Sequence, residues 1–223
     1  LRVLAHISGD EDLREAFRRE VDIHVHTASE VFGVPPDRVT PEMRGRAKAV
    51  NFGIIYGISD FGLSRGLGIS RKEAADYIAG YFPRYPRVKE YLDGVVAEAR
   101  RLGYVTTILH RRRYLPDIRS RNPSRRSFAE RTAMNTPIQG SAADIIKLAM
   151  VEVHRELRDR GLRSRMILQV HDDLVFEVPE DEVQVLRDLV VRRMEGAFPL
   201  AVPLRVDVKV GPSWYDMKVL DDG

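Results

Sequence analysis

Along most of this chain, hydrophobic and polar residues are arranged as a succession of helices. Residues 10 to 19 read as a short helix with Asp10 at its N-cap, and residues 22 to 32 as a second, stopped by Gly33 and Pro35-Pro36. Thr40-Pro41-Glu42 predicts a firm helix start: a capping hydroxyl, a proline at the first helical position and an acid in the first turn. That helix runs to about Tyr56, and Gly57 serves as its stop. Residues 59 to 67 predict another short helix. Ser70 and Glu73 form a capping box for the next one, which Pro83 and Pro86 break before it resumes to about Leu102. Residues 104 to 108 are β-like, and 111 to 115 can pair with them. A long helix is predicted over 124 to 160, where Ile138, Ala142, Ile145, Ile146 and Ala149 keep a helical apolar period and Pro137 should introduce a kink.

The last third changes character. Residues 165 to 170 and 174 to 178 are apolar β-like runs joined by His171-Asp172-Asp173, and they predict a hairpin whose tip is held by a buried ribbon. A helix over 180 to 198 and a strand over 204 to 210 follow. The chain is thus expected to be helical to about residue 122 and mixed afterwards, an α+β fold with a small antiparallel sheet packed on helices.

The chain has 223 residues, enough for one large domain or two small ones. Its 43% hydrophobic and 31% charged content is ordinary for a water-soluble protein, and no apolar run approaches the ~18 residues a membrane span needs. Cysteine is absent, which excludes disulfides and thiolate-bound metals and leaves carboxylate or histidine ligands. Net charge is only +3, but the cations are skewed: lysine stands at 48, 72, 89, 147, 209 and 218, and the other 30 of 36 are arginine. Arginine suits bidentate phosphate contacts. Arg111, Arg112, Arg113, Arg119, Arg121, Arg125, Arg126 and Arg131 fall close together, either as a polyanion footprint or as a solvated loop.

Arg44, Lys48, Phe52 and Tyr56 recur every four residues. On a helix they form one stripe, advancing about 6 Å per step. A core stripe would not begin with two cations, because unpaired charge is costly to bury. A solvated stripe would not end with two aromatics. A nucleoside triphosphate, with phosphates at one end and a flat base at the other, fits this spacing. A protein interface is the competing reading. His171-Asp172-Asp173 combines a donor with two hard oxygen ligands of the kind Mg²⁺ takes, although acids at a hairpin tip also serve simply as turn formers. Arg131, Asn135 and Gln139 make a second stripe at four-residue spacing, suited to a nucleic-acid groove or to an ordinary exposed face.

The pattern Arg44-x-x-x-Lys48-x-x-x-Phe52-x-x-x-Tyr56-Gly57 resembles the fingers helix of family A DNA polymerases, the bacterial polymerase I type. Gln169-Val170-His171-Asp172 resembles the family's Q-V-H-D-E, with Asp173 in place of the usual Glu. Asn135-Thr-Pro-Ile-Gln139-Gly-Ser-Ala-Ala-Asp144 resembles N-x-P-x-Q-G-[TS]-A-A-D. Leu1-Arg-Val-Leu-Ala-His-Ile-Ser-Gly-Asp10, Asp22-Ile-His24-x-x-Thr27-Ala28, Gly103-Tyr-Val-x-Thr107 and Arg111-Arg-Arg-Tyr114-x-Pro116 extend the resemblance over essentially the whole chain, in order.

The resemblance implies template-directed DNA synthesis from dNTPs on a primer-template, with two Mg²⁺ ions. It implies Asp172 and Asp173 as metal-binding and catalytic residues. It implies that Lys48 acts on the triphosphate beside Arg44, His24, Phe52 and Tyr56. Arg131, Asn135, Gln139, His171, Arg111, Arg112 and Arg113 would meet DNA. By the same resemblance, residues 1–23 form a palm segment, 24–122 the fingers, and 123–223 the palm with the metal-binding hairpin. The family's other metal Asp, and a Glu that screens ribose, lie in D-Y-S-Q-I-E directly before L-R. The chain is therefore expected to be a C-terminal fragment, inactive alone, whose partner is the upstream polymerase with the thumb and the rest of the palm. No membrane partner is expected, and the setting is the bacterial cytoplasm at the nucleoid. The rival expectations are a DNA-binding module without catalysis and a basic helix that docks a protein.

Overall fold

The computed structural model describes residues 1–220, which divide into two compact units, Leu1–Ser141 and the part from Ala142 onward. The first unit contains α1 (Arg2–Ser8), α2 (Glu11–Arg18), α3 (Ile23–Phe32), α4 (Pro41–Ile55), α5 (Asp60–Leu67), α6 (Arg71–Arg84) and α7 (Pro86–Leu102). A hairpin of β1 (Tyr104–Thr106) and β2 (Arg112–Tyr114) follows, with Tyr104 opposite Tyr114. Helix α8 (Pro123–Asp159) then begins, and the division between units falls along it. The second unit holds a hairpin of β3 (Arg165–Val170) and β4 (Asp173–Glu177), helix α9 (Val183–Glu195), and a hairpin of β5 (Lys209–Ser213) and β6 (Asp216–Val219). This is an α+β arrangement, though among the described residues the strands form three separate two-stranded sheets rather than one. Among the described residues no helix is long and apolar enough to cross a membrane.

The N-cap bonds expected from sequence are made, but the second half of the Ser70–Glu73 capping box is not, because the Glu73 carboxylate accepts instead from Tyr77 Oη at 2.8 Å and Arg46 Nη1 at 3.2 Å. Thr40 accepts from Met43 N and Ser70 from Glu73 N. Asp10 is almost wholly buried: one carboxylate oxygen accepts from Leu13 N at 3.0 Å, and the other from Arg87 N at 3.2 Å, tying the starts of α2 and α7 together. Gly57 ends α4 with φ +62, its N–H bonding to Ile54 O and that of Ile58 to Gly53 O. These are the paired bonds of a helix terminus that needs a left-handed residue. A side chain there would also crowd the end of the Met134 side chain.

Some elements depart from expectation. Helix α1 was not foreseen. Pro83 lies inside α6, and the break falls instead at Tyr85 (φ −123, ψ 66), because the residue before Pro86 is driven out of the helical region. Helix α8 continues through Pro137. The expected helix over 180 to 198 is a 3₁₀ turn, Glu180–Glu182, followed by α9. The expected strand over 204 to 210 contributes only Lys209 and Val210 to a ladder, since β propensity makes a strand only where a partner is in reach. The hairpin's second strand, β6, was not foreseen.

The core of the first unit contains the fully buried Leu4, Leu13, Val50, Leu63, Tyr81, Tyr85 and Val88. A second cluster joins Ala99, Val105, Leu115, Ile118, Ala129 and Ala133, seating the β1–β2 hairpin between α7 and the early turns of α8. Gly140 allows this close seat: a Cβ there would lie 2.6 Å from Thr107 Cγ2, and the neighbouring Ser141 Oγ accepts from Ile108 N at 2.8 Å. In the second unit Val153 and Leu157 of α8 pack on Leu186, Leu189 and Val190 of α9, with Phe176 and Val178 against them.

Glu182 locks the turn that leads into β3. Its carboxylate accepts from Ser164 Oγ at 2.6 Å, Ser164 N at 2.8 Å, Arg163 N at 2.9 Å and Arg163 Nε at 3.2 Å. The Ser164 hydroxyl, the Arg163 and Ser164 amides and the Arg163 side chain outweigh burial and hold its pKa down at about 2. A carboxyl depressed on folding stabilises fully above its unfolded pKa, near 4.5, and loses that contribution as the pH falls toward 2. Thermal melts of Glu182→Gln should therefore show a lower Tm at pH 7 and a weaker acid dependence between those two pH values. An acid profile unchanged from wild type would refute the role. Gly140→Ala should destabilise by about 1–3 kcal/mol through overpacking against Thr107, whose hydroxyl is committed to Arg111 N at 3.2 Å. Thr107→Ser, which removes the offending methyl, should restore much of the Tm.

Candidate functional site

Helix α4 is sharply two-sided. Ala47, Val50, Asn51, Ile54 and Ile55 are buried, while Arg44, Lys48, Phe52 and Tyr56 are exposed. Four-residue spacing gives this result once the other face of a helix has docked. Arg44 Nε donates to Asp22 Oδ2 at 2.8 Å. Asp22 also caps α3, accepting from His24 N at 2.9 Å and Val25 N at 3.2 Å. Partial burial pushes the Asp22 carboxyl up, but the bonds from Arg44, Val25 and His24 outweigh it and hold the pKa below its ordinary value. The Arg44–Asp22 pair is substantially exposed, so it is worth little and can be exchanged for a stronger anion.

No described residue pairs ionically with the Lys48 ammonium, which lies over the Phe52 ring, 6.0 Å from its centroid. His24, half-buried on α3, meets the same ring at 5.9 Å. Burial holds the His24 pKa below its ordinary value. Asp22 pulls it up, and Arg44 and Lys48 push it down. Helices α3 and α4 thus bring together His24, Arg44, Lys48 and Phe52, two cations and a histidine around an aromatic face.

Tyr56, at the end of α4, accepts from Gln139 Nε2 at 2.8 Å across 83 residues of sequence. The α4 stripe therefore meets the second polar stripe, Arg131, Asn135 and Gln139 on α8. Arg131 is exposed and donates to Ser127 Oγ at 2.7 Å. Asn135 is half-buried, and its buried Nδ2 has no hydrogen-bond partner.

The basic cluster is partly spent on structure. Arg119 donates to the carbonyls of Arg100 and Arg101 at the end of α7, and Arg126 to that of Ser120. Arg111, Arg112 and Arg113 stand exposed on the β1–β2 hairpin. Arg112 covers the Tyr104 ring at 4.8 Å, and Arg113 donates to Thr136 Oγ1 at 3.2 Å.

In the second unit Val170 pairs with Asp173, so the β3–β4 turn is just His171-Asp172, and Asp173 already belongs to β4. His171 takes a left-handed φ of +55. The expectation of a buried ribbon is corrected here: Ile167 is 58% and Leu168 45% exposed, because only the side bearing Phe176 and Val178 packs on α8 and α9. His171, Asp172 and Asp173 are exposed, and neither carboxylate is paired with a described residue. Adjacent unpaired carboxylates are the right kind of donor for Mg²⁺. Among the described residues, however, no group of three or more His, Cys, Asp or Glu could hold a metal ion. The pair fits as part of a coordination shell, with further oxygens to come from outside it.

Three residues of the site had no role assigned from sequence: Asp22, the partner of Arg44, and Thr27, both within the matched segment Asp22-Ile-His24-x-x-Thr27-Ala28, and Asn51, which bonds to Thr27 beneath His24. The available signal was Asn51 itself, an amide on the face that Ala47 and Ile54 mark as buried.

The sequence profile of DNA polymerase family A matches residues 1–216. DNA polymerase I of Bacillus caldotenax is 60% identical over 218 residues, covering 98% of this chain and 25% of that protein. DNA polymerase I of Bacillus subtilis (strain 168) is 59% identical over the same length, with the same coverage. Among solved structures, the POL domain of Pol1 from M. smegmatis in complex with DNA primer-template and dNTP superposes with a TM-score of 0.88 at 51% identity, covering 92% of this chain and 36% of that chain. The chain thus spans about a quarter of the length of the curated relatives it matches. A profile match over residues 1–216, almost the whole length of the chain, makes it a member of DNA polymerase family A.

Proposed function

We propose that this chain is the nucleotide-binding and part of the metal-binding portion of a template-directed DNA polymerase, which transfers a nucleotide from a dNTP to a primer 3′-hydroxyl in the bacterial cytoplasm, at the nucleoid. The observation that carries this reading is the α4 stripe: an unpaired Lys48 one turn from an exchangeable Arg44 and one turn from an exposed Phe52. Residues 24–122 serve as fingers, and residues 1–23 and 123–223 as palm.

Arg44 and Lys48 hold the triphosphate, as fixed cations whose field costs no reorganisation when charge develops. His24 adds a contact on the same side. Phe52 packs on the sugar and base, and Tyr56 meets the template edge. Arg131, Asn135, Gln139, His171 and Arg111 to Arg113 hold the primer-template. Asn and Gln suit this task because minor-groove acceptors recur on every base pair. Asp172 and Asp173 would hold Mg²⁺, which when bound supplies Lewis-acid stabilisation of phosphoryl oxygens. Asp173 is one methylene shorter than the family's usual Glu and reaches less far from β4.

A second reading is favoured by one observation, the lack of a complete metal-ligand group among the described residues. On that reading the chain is a DNA-binding module without catalysis, which keeps duplex binding but gives no extension either alone or mixed. Primer extension by the chain alone, and by the chain mixed with the upstream polypeptide, separates the two: activity only on mixing supports a shared metal site.

In the complete polymerase, Asp172→Asn should lower kcat by about a thousandfold or more, since several kcal/mol of charge stabilisation depends on the metal it holds. Near-normal turnover would sink the assignment. Lys48→Ala should raise the dNTP KM by about 10- to 100-fold, the worth of one hydrogen bond to a charged group, while filter binding shows duplex affinity almost unchanged. Equal losses in both would place Lys48 on the DNA instead.

A further inference from the structure

Asn51 is fully buried, one residue before the exposed Phe52. An amide is costly to bury unless it is hydrogen-bonded, and here its partners all lie on α3. Asn51 Nδ2 is 3.1 Å from His24 Nδ1 and 3.1 Å from Thr27 Oγ1, and the Thr27 hydroxyl donates to Asn51 Oδ1 at 3.2 Å. His24 and Thr27 stand three apart, so one amide on α4 engages two adjacent positions on the facing helix.

An amide NH₂ group only donates. The ring nitrogen facing it must therefore accept, which puts the imidazole proton on Nε2. Phe52 bears on the same ring at 5.9 Å, with the Lys48 ammonium 6.0 Å from the Phe52 centroid. The His24 ring is thus held at one edge by Asn51 and on a face by Phe52, and no described residue accepts a bond from its Nε2. A third positive charge beside Arg44 and Lys48 would meet their repulsion, and burial together with those cations keeps the ring neutral against the pull of Asp22.

We propose that Asn51 is a positioning residue that fixes His24 as its Nε2–H tautomer, so that a neutral ring offers one oriented donor to an anionic oxygen of the nucleotide held by Arg44 and Lys48. This rests on reading the α4 stripe as the nucleotide site, and it adds to that reading a residue that never touches the nucleotide. The division of labour is physical. The Lys48 ammonium supplies attraction that depends little on angle, and Arg44 adds a planar fork of donors. The histidine supplies a directional bond, which is useful only if its proton and its ring plane are settled beforehand.

The test uses the complete polymerase labelled with ¹⁵N-histidine, with His24 assigned by the signal lost in His24→Gln. In wild type, Nδ1 of His24 should show the shift of an unprotonated ring nitrogen and Nε2 that of a protonated one. In Asn51→Asp the introduced acceptor should draw a proton onto Nδ1. Kinetically, Asn51→Ala should raise the dNTP KM by roughly tenfold, the worth of about one hydrogen bond, with a smaller change in kcat. The same substitution in a His24→Ala background should raise it no further. A wild-type His24 protonated on Nδ1, or an equal KM increase in both backgrounds, would overturn the proposal. Failure of the underlying reading looks different: Lys48→Ala and His24→Ala would both leave the dNTP KM unchanged. Should Asn51→Ala fail to fold, the wild-type spectrum and Asn51→Asp decide the matter.

Discussion

Docking one face of α4 is the constraint from which the candidate site follows. Ala47, Val50, Ile54 and Ile55 are withdrawn from water, and Gly57 and Met134 close the end of the helix against α8. With that face committed, the residues four apart on the other side have no freedom to point elsewhere. Two cations and two aromatics become a rigid row of known spacing. A loop bearing the same four residues would have to order them at a cost of about 1–2 kcal/mol per residue of backbone, plus side-chain freedom, before binding anything. The helix has already met that cost in folding.

Charge is used in two ways in this chain. Many arginines are satisfied internally: Arg119 by the last carbonyls of α7, Arg163 by Glu182 and Asp181, and Arg192 and Arg193 by Glu156. These contacts hold turns and helix ends in place and leave little field for a ligand. Lys48, Asp172 and Asp173 have no such partners among the described residues. Their charge is uncompensated and solvent-facing, so a phosphate or a cation can be met without first breaking an existing pair. Arg44 lies between the two cases. Its bond to Asp22 also steadies the first turn of α3, which carries His24.

The two stripes meet through the Gln139–Tyr56 hydrogen bond. It joins the residue at the aromatic end of α4 to the glutamine of the α8 stripe. Gln139 owes its position to the turn after it, where Gly140 and Ser141 fit against Thr107 and Ile108. Small residues on α8 thus set how far a polar side chain stands from an aromatic one on a different helix.

Much of this was legible in the chain itself. Capping chemistry at Thr40 and Ser70, the left-handed stop at Gly57 and the four-residue recurrence of Arg44, Lys48, Phe52 and Tyr56 are local rules, decided within one or two turns of helix. The β3–β4 turn is likewise local. Elements that need a distant partner were beyond such rules: residues 204–208 have strand-like composition and join no ladder, and the apolar run of β3 leaves Ile167 and Leu168 largely exposed. The bonds of Asn51 to His24 and Thr27, of Arg44 to Asp22 and of Gln139 to Tyr56 span from 22 to 83 residues. Periodicity states which side of a helix a residue occupies, because that follows from backbone geometry alone. Which side chain it meets there depends on how helices pack, and only the tertiary structure decided that.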